Sequence, residues 1–230
     1  MRLHIIRHGD PDYSTDSLTP RGRIEAECLR SWVAREKPAI AYSSPLGRAR
    51  QTAELALAGS GLAVPVEPWT YEIPNARAAG SPMCWWDVHG HELRNPAYLA
   101  SLAWADQPRL AGTRAEVECA RIAAESDAFF ARHGLRRDGG CYRITGTLPD
   151  SIAVFCHGGF GLAWLAHLLA LPVPLVWGGF VLHTSSVTTL LFDEREPGLA
   201  TPRLLHLGDI MHLHVAGVEP SRVGFIANYR

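Results

Sequence analysis

Two tripeptides end apolar runs in groups that do chemistry. Arg7-His8-Gly9 follows Leu3, Ile5 and Ile6, and His157-Gly158-Gly159 follows Ser151-Ile152-Ala153-Val154-Phe155-Cys156. Short continuous apolar runs read as buried strands, and open α/β sheets keep their ligand crevices at the carboxyl ends of strands. Arginine offers a planar fork of donors suited to phosphate or carboxylate. A neutral imidazole can attack or carry a proton near neutral pH. Glycine permits a sharp turn and the close approach of another group. Each tripeptide alone is equally well a strand capped by solvated polar side chains, and a lone buried histidine is usually structural. Two of them, each ending a strand before glycine, make that reading less economical.

Between them lies Ser43-Ser44-Pro45-Leu46-Gly47-Arg48-Ala49-Arg50-Gln51-Thr52-Ala53-Glu54. Ser44 suits a helix N-cap and Pro45 the first helical position, which puts Arg48 in the first turn. There the free backbone donors and the helix dipole favour an anion. Arg50, two residues on, faces elsewhere; taken alone, both arginines read as a solvated face. Arg7, His8, Arg48 and His157 around one point would hold a tetrahedral dianion, with Gly158 letting backbone donors approach it. Arginine–phosphate contacts are charge-assisted and often bidentate, histidine is a recognised covalent nucleophile, and cationic donors hold the equatorial oxygens during transfer. The arginines supply the countercharge, so neither metal nor other cofactor is expected. Glu72 lies among Trp69, Tyr71 and Ile73, where partial desolvation would favour its protonated form.

The elements that must position these groups follow from the rest of the chain. Thr19 and Pro20 open a helix whose apolar positions recur to about Glu36, and Pro38 ends it. Residues 39–42 and 62–67 read as strands. Residues 80–112 show little periodicity and much Trp, Pro and His, with a short helix expected near Pro96 to Trp104; such excursions are often lids or binding loops. His89 and His91 are a weak metal candidate, since zinc wants more ligands. Thr113-x-x-Glu116 reads as a capping box opening a helix to about His133, which Gly134 ends. A short strand at residues 142–144, a helix over 160–171, and antiparallel strands at 186–192 and 203–207 complete the reading. The expected fold is one α/β domain over residues 1–230, a three-layer α/β/α sandwich with a mostly parallel sheet and a partial lid at about 75–112.

The composition bounds the partners. With 230 residues, 47% hydrophobic and 20% charged, the chain is an ordinary folded protein with a sizeable core. A net charge of −1 gives no global field for nucleic acid or anionic membrane, so any anion site is local. Five scattered cysteines without a CxxC pair suggest a reducing compartment. The N-terminus shows no leader, and the apolar stretch 160–176 is broken by His167, Pro172 and Pro174; a cytoplasmic protein is expected. Oligomeric state is not legible.

The motifs together resemble the histidine phosphatase superfamily, the phosphoglycerate mutase-like fold. Arg7-His8-Gly9 resembles its opening signature, Ser44-Pro45-Leu46-Gly47-Arg48-Ala49-Arg50-Gln51-Thr52-Ala53 its second motif, and His157-Gly158-Gly159 its third. Leu18-Thr19-x-x-Gly22 and Asp209-x-x-His212-Leu213 fit as well. The resemblance implies His8 as the nucleophile that becomes phosphohistidine, with Arg7, Arg48 and His157 gripping the phosphoryl group. It implies Glu72 as the acid that protonates the leaving oxygen, with Asp10, beside the nucleophile's turn, as the alternative. The family's Gly-x-x-Glu-Gly stretch after the acid is replaced by the aromatic-rich 75–90. The opening loop is Asp10-Pro11-Asp12-Tyr13-Ser14, without the asparagine-bearing extension of the mutase branch; Ser14 there is a candidate substrate contact. The expected activity is metal-independent hydrolysis of a small phosphorylated metabolite. A phosphoglycerate-type mutase and a non-catalytic phospho-ligand binder remain the alternatives.

Overall fold

The computed structural model describes residues 1–96 and 104–224. Its centre is strand β1 (Arg2–Arg7). A two-residue hairpin, Pro11–Asp12 with Ser17–Leu18, leads from it into helix α1 (Pro20–Glu36). Strand β2 (Ile40–Ser43) and helix α2 (Gly47–Ala56) follow. After a long excursion come α3 (Ala115–Arg132), β3 (Leu135–Asp138), β4 (Cys141–Ile144) and β5 (Ser151–Cys156). Helix α4 (Gly158–Leu169), α5 (Val173–Trp177), β6 (Val187–Asp193), β7 (Leu199–Asp209) and α6 (Met211–Ala216) complete the order.

The seven strands lie in the order β2-β5-β1-β6-β7-β4-β3. Parallel pairing is confined to the strands that carry the site: β2 with β5, and β5 with β1. From β6 outward every pair is antiparallel; short loops join β6 to β7 and β3 to β4, as antiparallel neighbours allow. In the register of β1 and β5, Arg7 stands opposite Cys156. His8 and His157 therefore leave the sheet side by side.

Alternating side chains build a core on each face. Ile6, Ala41, Ala153, Phe155 and Val187 pack with Leu29, Trp32, Val33, Ala53 and Ala56 of α1 and α2. Leu3, Ile5, Ile152 and Val154 pack on the opposite face with Phe129 and Phe130 of α3 and with α4. That helix is buried nearly all round, from Gly159 to Leu168, as expected for one clamped between a sheet and another helix. Trp164 Nε1 donates to Ser126 Oγ at 2.7 Å, joining α4 to α3 and satisfying a polar atom the core would otherwise orphan. These are the helix layers of the expected α/β/α sandwich.

Several local expectations are corrected. Helix α2 starts at Gly47 with Leu46 as N-cap, and Ser44 does not cap it; the Ser44 hydroxyl is drawn to His157 instead. Helix α3 starts at Ala115 without a side-chain cap. The capping box fails because Arg114 takes the N-cap position, which leaves Thr113 one residue outside, donating to Leu110 O at 2.6 Å and accepting from Ala115 N at 3.3 Å. Residues 62–67 make no strand, only an isolated bridge between Val66 and Ser43, since Pro65 has no donor for a ladder. The helix after His157 starts two residues earlier than expected. The short helix expected near Pro96 to Trp104 falls mainly on residues 97–103, outside the described residues. The expectation for α1 holds: Thr19 Oγ1 accepts from Gly22 N at 3.0 Å, and Pro20 is its first residue.

Candidate active site

The turn after His8 is made by two glycines. A Cβ on Gly9 would lie 2.5 Å from Gly22 O, and one on Gly22 would overlap the Asp10 carbonyl. The glycines thus bring the turn after β1 against the first turn of α1. Gly9 N donates to Thr52 Oγ1 at 3.0 Å, which ties the turn to α2 as well. His8, 1% exposed, is held from both sides.

Ring geometry fixes the chemistry of His8. Its Nδ1 lies 2.7 Å from Gly9 O, and a carbonyl can only accept, so Nδ1 carries the proton. The lone pair is on Nε2, which accepts from Arg48 Nε at 3.2 Å. Burial first, then the Arg7 and Arg48 cations, hold the His8 pKa well below 6.5. The ring is neutral and nucleophilic.

His157 lies with its ring centroid 5.1 Å from that of His8. Its Nε2 is 2.7 Å from Ser44 Oγ, and that same oxygen accepts from Leu46 N at 3.3 Å. The Ser44 hydroxyl has no other acceptor among the described residues, so it gives its proton to His157 Nε2, leaving the ring proton on Nδ1. That tautomer is assigned from the hydrogen-bond network. Burial and the neighbouring His8, Arg48 and Arg7 lower the His157 pKa too. Nδ1 of His157 and Nε of Arg7 are buried without a hydrogen-bond partner among the described residues. Two unmet donors beside a neutral nucleophile are what an incoming oxyanion would satisfy.

The arginines are aimed by backbone and carboxylate. Arg7 Nη1 donates to Leu182 O at 2.5 Å. Its guanidinium lies across Gly158, where a Cβ would stand 3.3 Å from Arg7 Nε. Arg48, in the first turn of α2 as expected, pairs through Nη1 with Asp16 Oδ1 at 2.5 Å. Asp16 also accepts from Gly47 N at 2.6 Å, so one carboxylate caps α2 and orients its arginine. Arg50 is exposed and faces away.

Glu72 reaches the N-terminus of α4. Oε2 accepts from Gly159 N at 3.1 Å, and Oε1 accepts from Phe160 N at 2.7 Å. Burial raises its pKa, while these donors and Arg7 pull it back. Asp10 is placed otherwise. Thr19 Oγ1 donates to its Oδ2 at 2.6 Å, and Ser221 Oγ donates to its Oδ1. It is committed to holding the turn, whereas Glu72 faces the cavity. Ser14 is exposed in the hairpin, its Oγ on Asp12 Oδ1 at 2.6 Å, so it is not brought to the cluster. His89 and His91 stack at 5.8 Å, and no group of three or more potential ligands forms a metal site among the described residues.

Residues that sequence reasoning missed complete the site. Asp16 and Ser221 carried no local signal, since each acts across the fold. Trp86 lies on Gly159, where a Cβ would overlap its indole. Asp87 shares the cavity, its pKa raised by burial against the pull of Arg7 and Arg77. The cavity, of ≈ 1230 Å³, is lined by Arg7, Tyr13, Glu72 and Gly158 and by residues 75–77, 83, 84 and 86–90. The excursion expected to be a lid is thus one of its walls. No helix is long and apolar enough to cross a membrane among the described residues.

Comparisons agree with this geometry. No curated protein matches the chain. Solved structures do. Phosphoserine phosphatase from Entamoeba histolytica is similar at 20% identity and TM-score 0.63, over 92% of this chain and 98% of that one. A mycobacterial glucosyl-3-phosphoglycerate phosphatase is similar at 25% identity and TM-score 0.61, over 90% and 98%. The alpha-ribazole phosphatase from Shigella flexneri is similar at 21% identity and TM-score 0.57, over 91% and 97%. The family model for the histidine phosphatase superfamily, branch 1, matches residues 3–203; with the motifs of that family at the tips of β1 and β5, the chain belongs to this superfamily.

Proposed function

We propose that the protein hydrolyses a small phosphomonoester through a phosphohistidine on His8. One observation carries this reading: a neutral His8 with its lone pair on Nε2, beside the unmet donors Arg7 Nε and His157 Nδ1. Family membership and phosphatases among its structural neighbours support it.

His8 Nε2 attacks phosphorus while the phosphorus–oxygen bond to the alcohol breaks. Arg48, released from the His8 lone pair, turns its Nε–H to the phosphoryl oxygens together with Arg7 and His157. Such donors act where charge spreads in the transition state. Glu72 gives its proton to the leaving alkoxide, which is otherwise a poor leaving group. A water then attacks the phosphohistidine and loses its proton to the Glu72 carboxylate, regenerating His8 and releasing inorganic phosphate. The countercharge comes from Arg7 and Arg48, with no metal in any step.

The test is to trap the phosphoenzyme. Rapid acid-free quenching with a radiolabelled ester should give an acid-labile, base-stable adduct on wild type and none on a folded His8→Ala variant. Turnover that persists in His8→Ala removes the covalent mechanism.

A further inference from the structure

The first turn of α4 holds three parts of the site on consecutive residues. Arg7 lies over Gly158, Trp86 lies over Gly159, and Glu72 accepts from Gly159 N and Phe160 N. The leaving group is bonded to phosphorus and takes its proton from Glu72, so it must sit beside Glu72 and against Trp86. The indole is half-buried. It cannot sink deeper, because Gly159 already brings it against the helix backbone, and the same indole lines the cavity.

The surrounding cavity, ≈ 1230 Å³, is more than a short acyclic ester needs, since sites for whole drug-sized ligands run roughly 300–1,000 Å³. Met83, Leu162 and Phe180 give its wall further apolar surface. Its acidic groups are Glu72 and Asp87. Arg77, also on the wall, is exposed and spends Nη1 on Pro82 O at 2.6 Å. An alcohol bearing a carboxylate would meet two acids there.

Resting on the hydrolytic reading above, we propose that this cavity selects phosphomonoesters whose alcohol is an uncharged ring, with the ring face stacked on Trp86. A sugar ring and an aromatic ring both present such a face. The inference sets substrate class rather than chemistry, and it makes the departure of residues 75–90 from the family pattern a change in specificity.

Four alkyl phosphates of similar leaving ability test it: benzyl phosphate and glucose 6-phosphate as ring probes, glycerol 3-phosphate and phosphoserine as acyclic ones. On wild type, kcat/KM should favour at least one ring probe over glycerol 3-phosphate by about tenfold, the size of one good stacking contact. Phosphoserine should be the poorest. Trp86→Leu, which keeps bulk without the flat face, should erase the preference, and Trp86→Phe should keep most of it. Benzyl against glucose tells an aromatic from a sugar substrate. A preference unchanged in a folded Trp86→Leu protein, or phosphoserine as the best of the four, overturns the ring assignment while the phosphohistidine stands. If none of the four esters phosphorylates His8, the catalytic reading falls and the ring assignment with it.

Discussion

Ser44 Oγ and His157 Nε2 lie 2.7 Å apart, and this hydrogen bond leaves Nδ1 as the proton-bearing nitrogen of His157. A residue in the turn between β2 and α2 thus sets the tautomer of a hydrogen-bond donor to phosphate one strand away. Ser44→Ala should free the ring to take either tautomer. Losing one directed hydrogen bond of this kind is worth about 1 kcal/mol, so phosphate affinity and kcat/KM should each drop several-fold. Inhibition by inorganic phosphate measures the first directly. Unchanged inhibition would mean that Ser44 does not set the donor.

The second prediction separates the two acids. Glu72→Gln keeps size and hydrogen bonding but removes the acidic proton. It should slow an alkyl phosphate by something like 10²–10⁴-fold and nitrophenyl phosphate much less, because nitrophenolate leaves without help. Asp10→Asn should instead disturb the turn that Thr19 and Ser221 hold, lowering melting temperature and affecting both substrates alike. If Glu72→Gln slows the two substrates equally, Glu72 positions the helix terminus rather than protonating.

The third prediction is a pH profile. His8 must be neutral to attack, and its pKa lies well below 6.5, so the acid limb of kcat/KM should fall below pH 6.5. Glu72 must be protonated, and its pKa lies above 4.5; the alkaline limb should be the one that Glu72→Gln removes. Activity of wild type that falls on acidification with a midpoint above 6.5 would contradict a neutral buried His8.

Stability should follow the buried histidines outside the site as well as those in it. His4 and His212 are buried, with pKa lowered to about 4 from 6.5, burial being the main cause. Between those values the unfolded chain binds more protons than the folded one. Their contribution is complete above pH 6.5 and is lost as pH falls toward 4, on the order of 3 kcal/mol for each. Glu25 and Glu72, with raised pKa values, oppose this trend. The comparison of His212→Gln with wild type isolates the histidine: its melting temperature should vary less over that window. Parallel curves would refute the assignment.

Gly159 gives the fifth test. Gly159→Ala would place a methyl group inside the indole of Trp86. Overpacking of this kind costs about 1–3 kcal/mol, relieved by moving Trp86 off the helix terminus. Lower stability together with altered tryptophan fluorescence is expected, and neither change would show that the contact is slack.

The parts of this site that were legible in the sequence are those written in local chemistry. The strand-end motifs placed His8 and His157, and the Thr19-Pro20 pair placed α1; Glu72 was singled out only by the family resemblance. Ser44 was read as a cap because Ser-Pro usually opens a helix; the tertiary pull of His157 overrode that propensity. Ser14 was expected at the substrate, but a local bond to Asp12 claims it. Asp16 and Trp86 were missed because what defines them, a guanidinium 32 positions later and a glycine 73 positions later, has no short-range pattern.

Ser221 N donates to Glu25 Oε1 at 3.0 Å, while Asp10 N donates to Glu25 Oε2 at 2.9 Å. One buried carboxylate joins the turn after residue 8 to residue 221. Residues beyond the last strand of the sheet are therefore needed before the loop after His8 has all its supports. A chain truncated near residue 217 would keep every side chain of the site but leave Asp10 and Glu25 without the donors of Ser221. Such a product should be catalytically impaired even where its sheet has formed, because its first loop is braced by residues that follow the sheet.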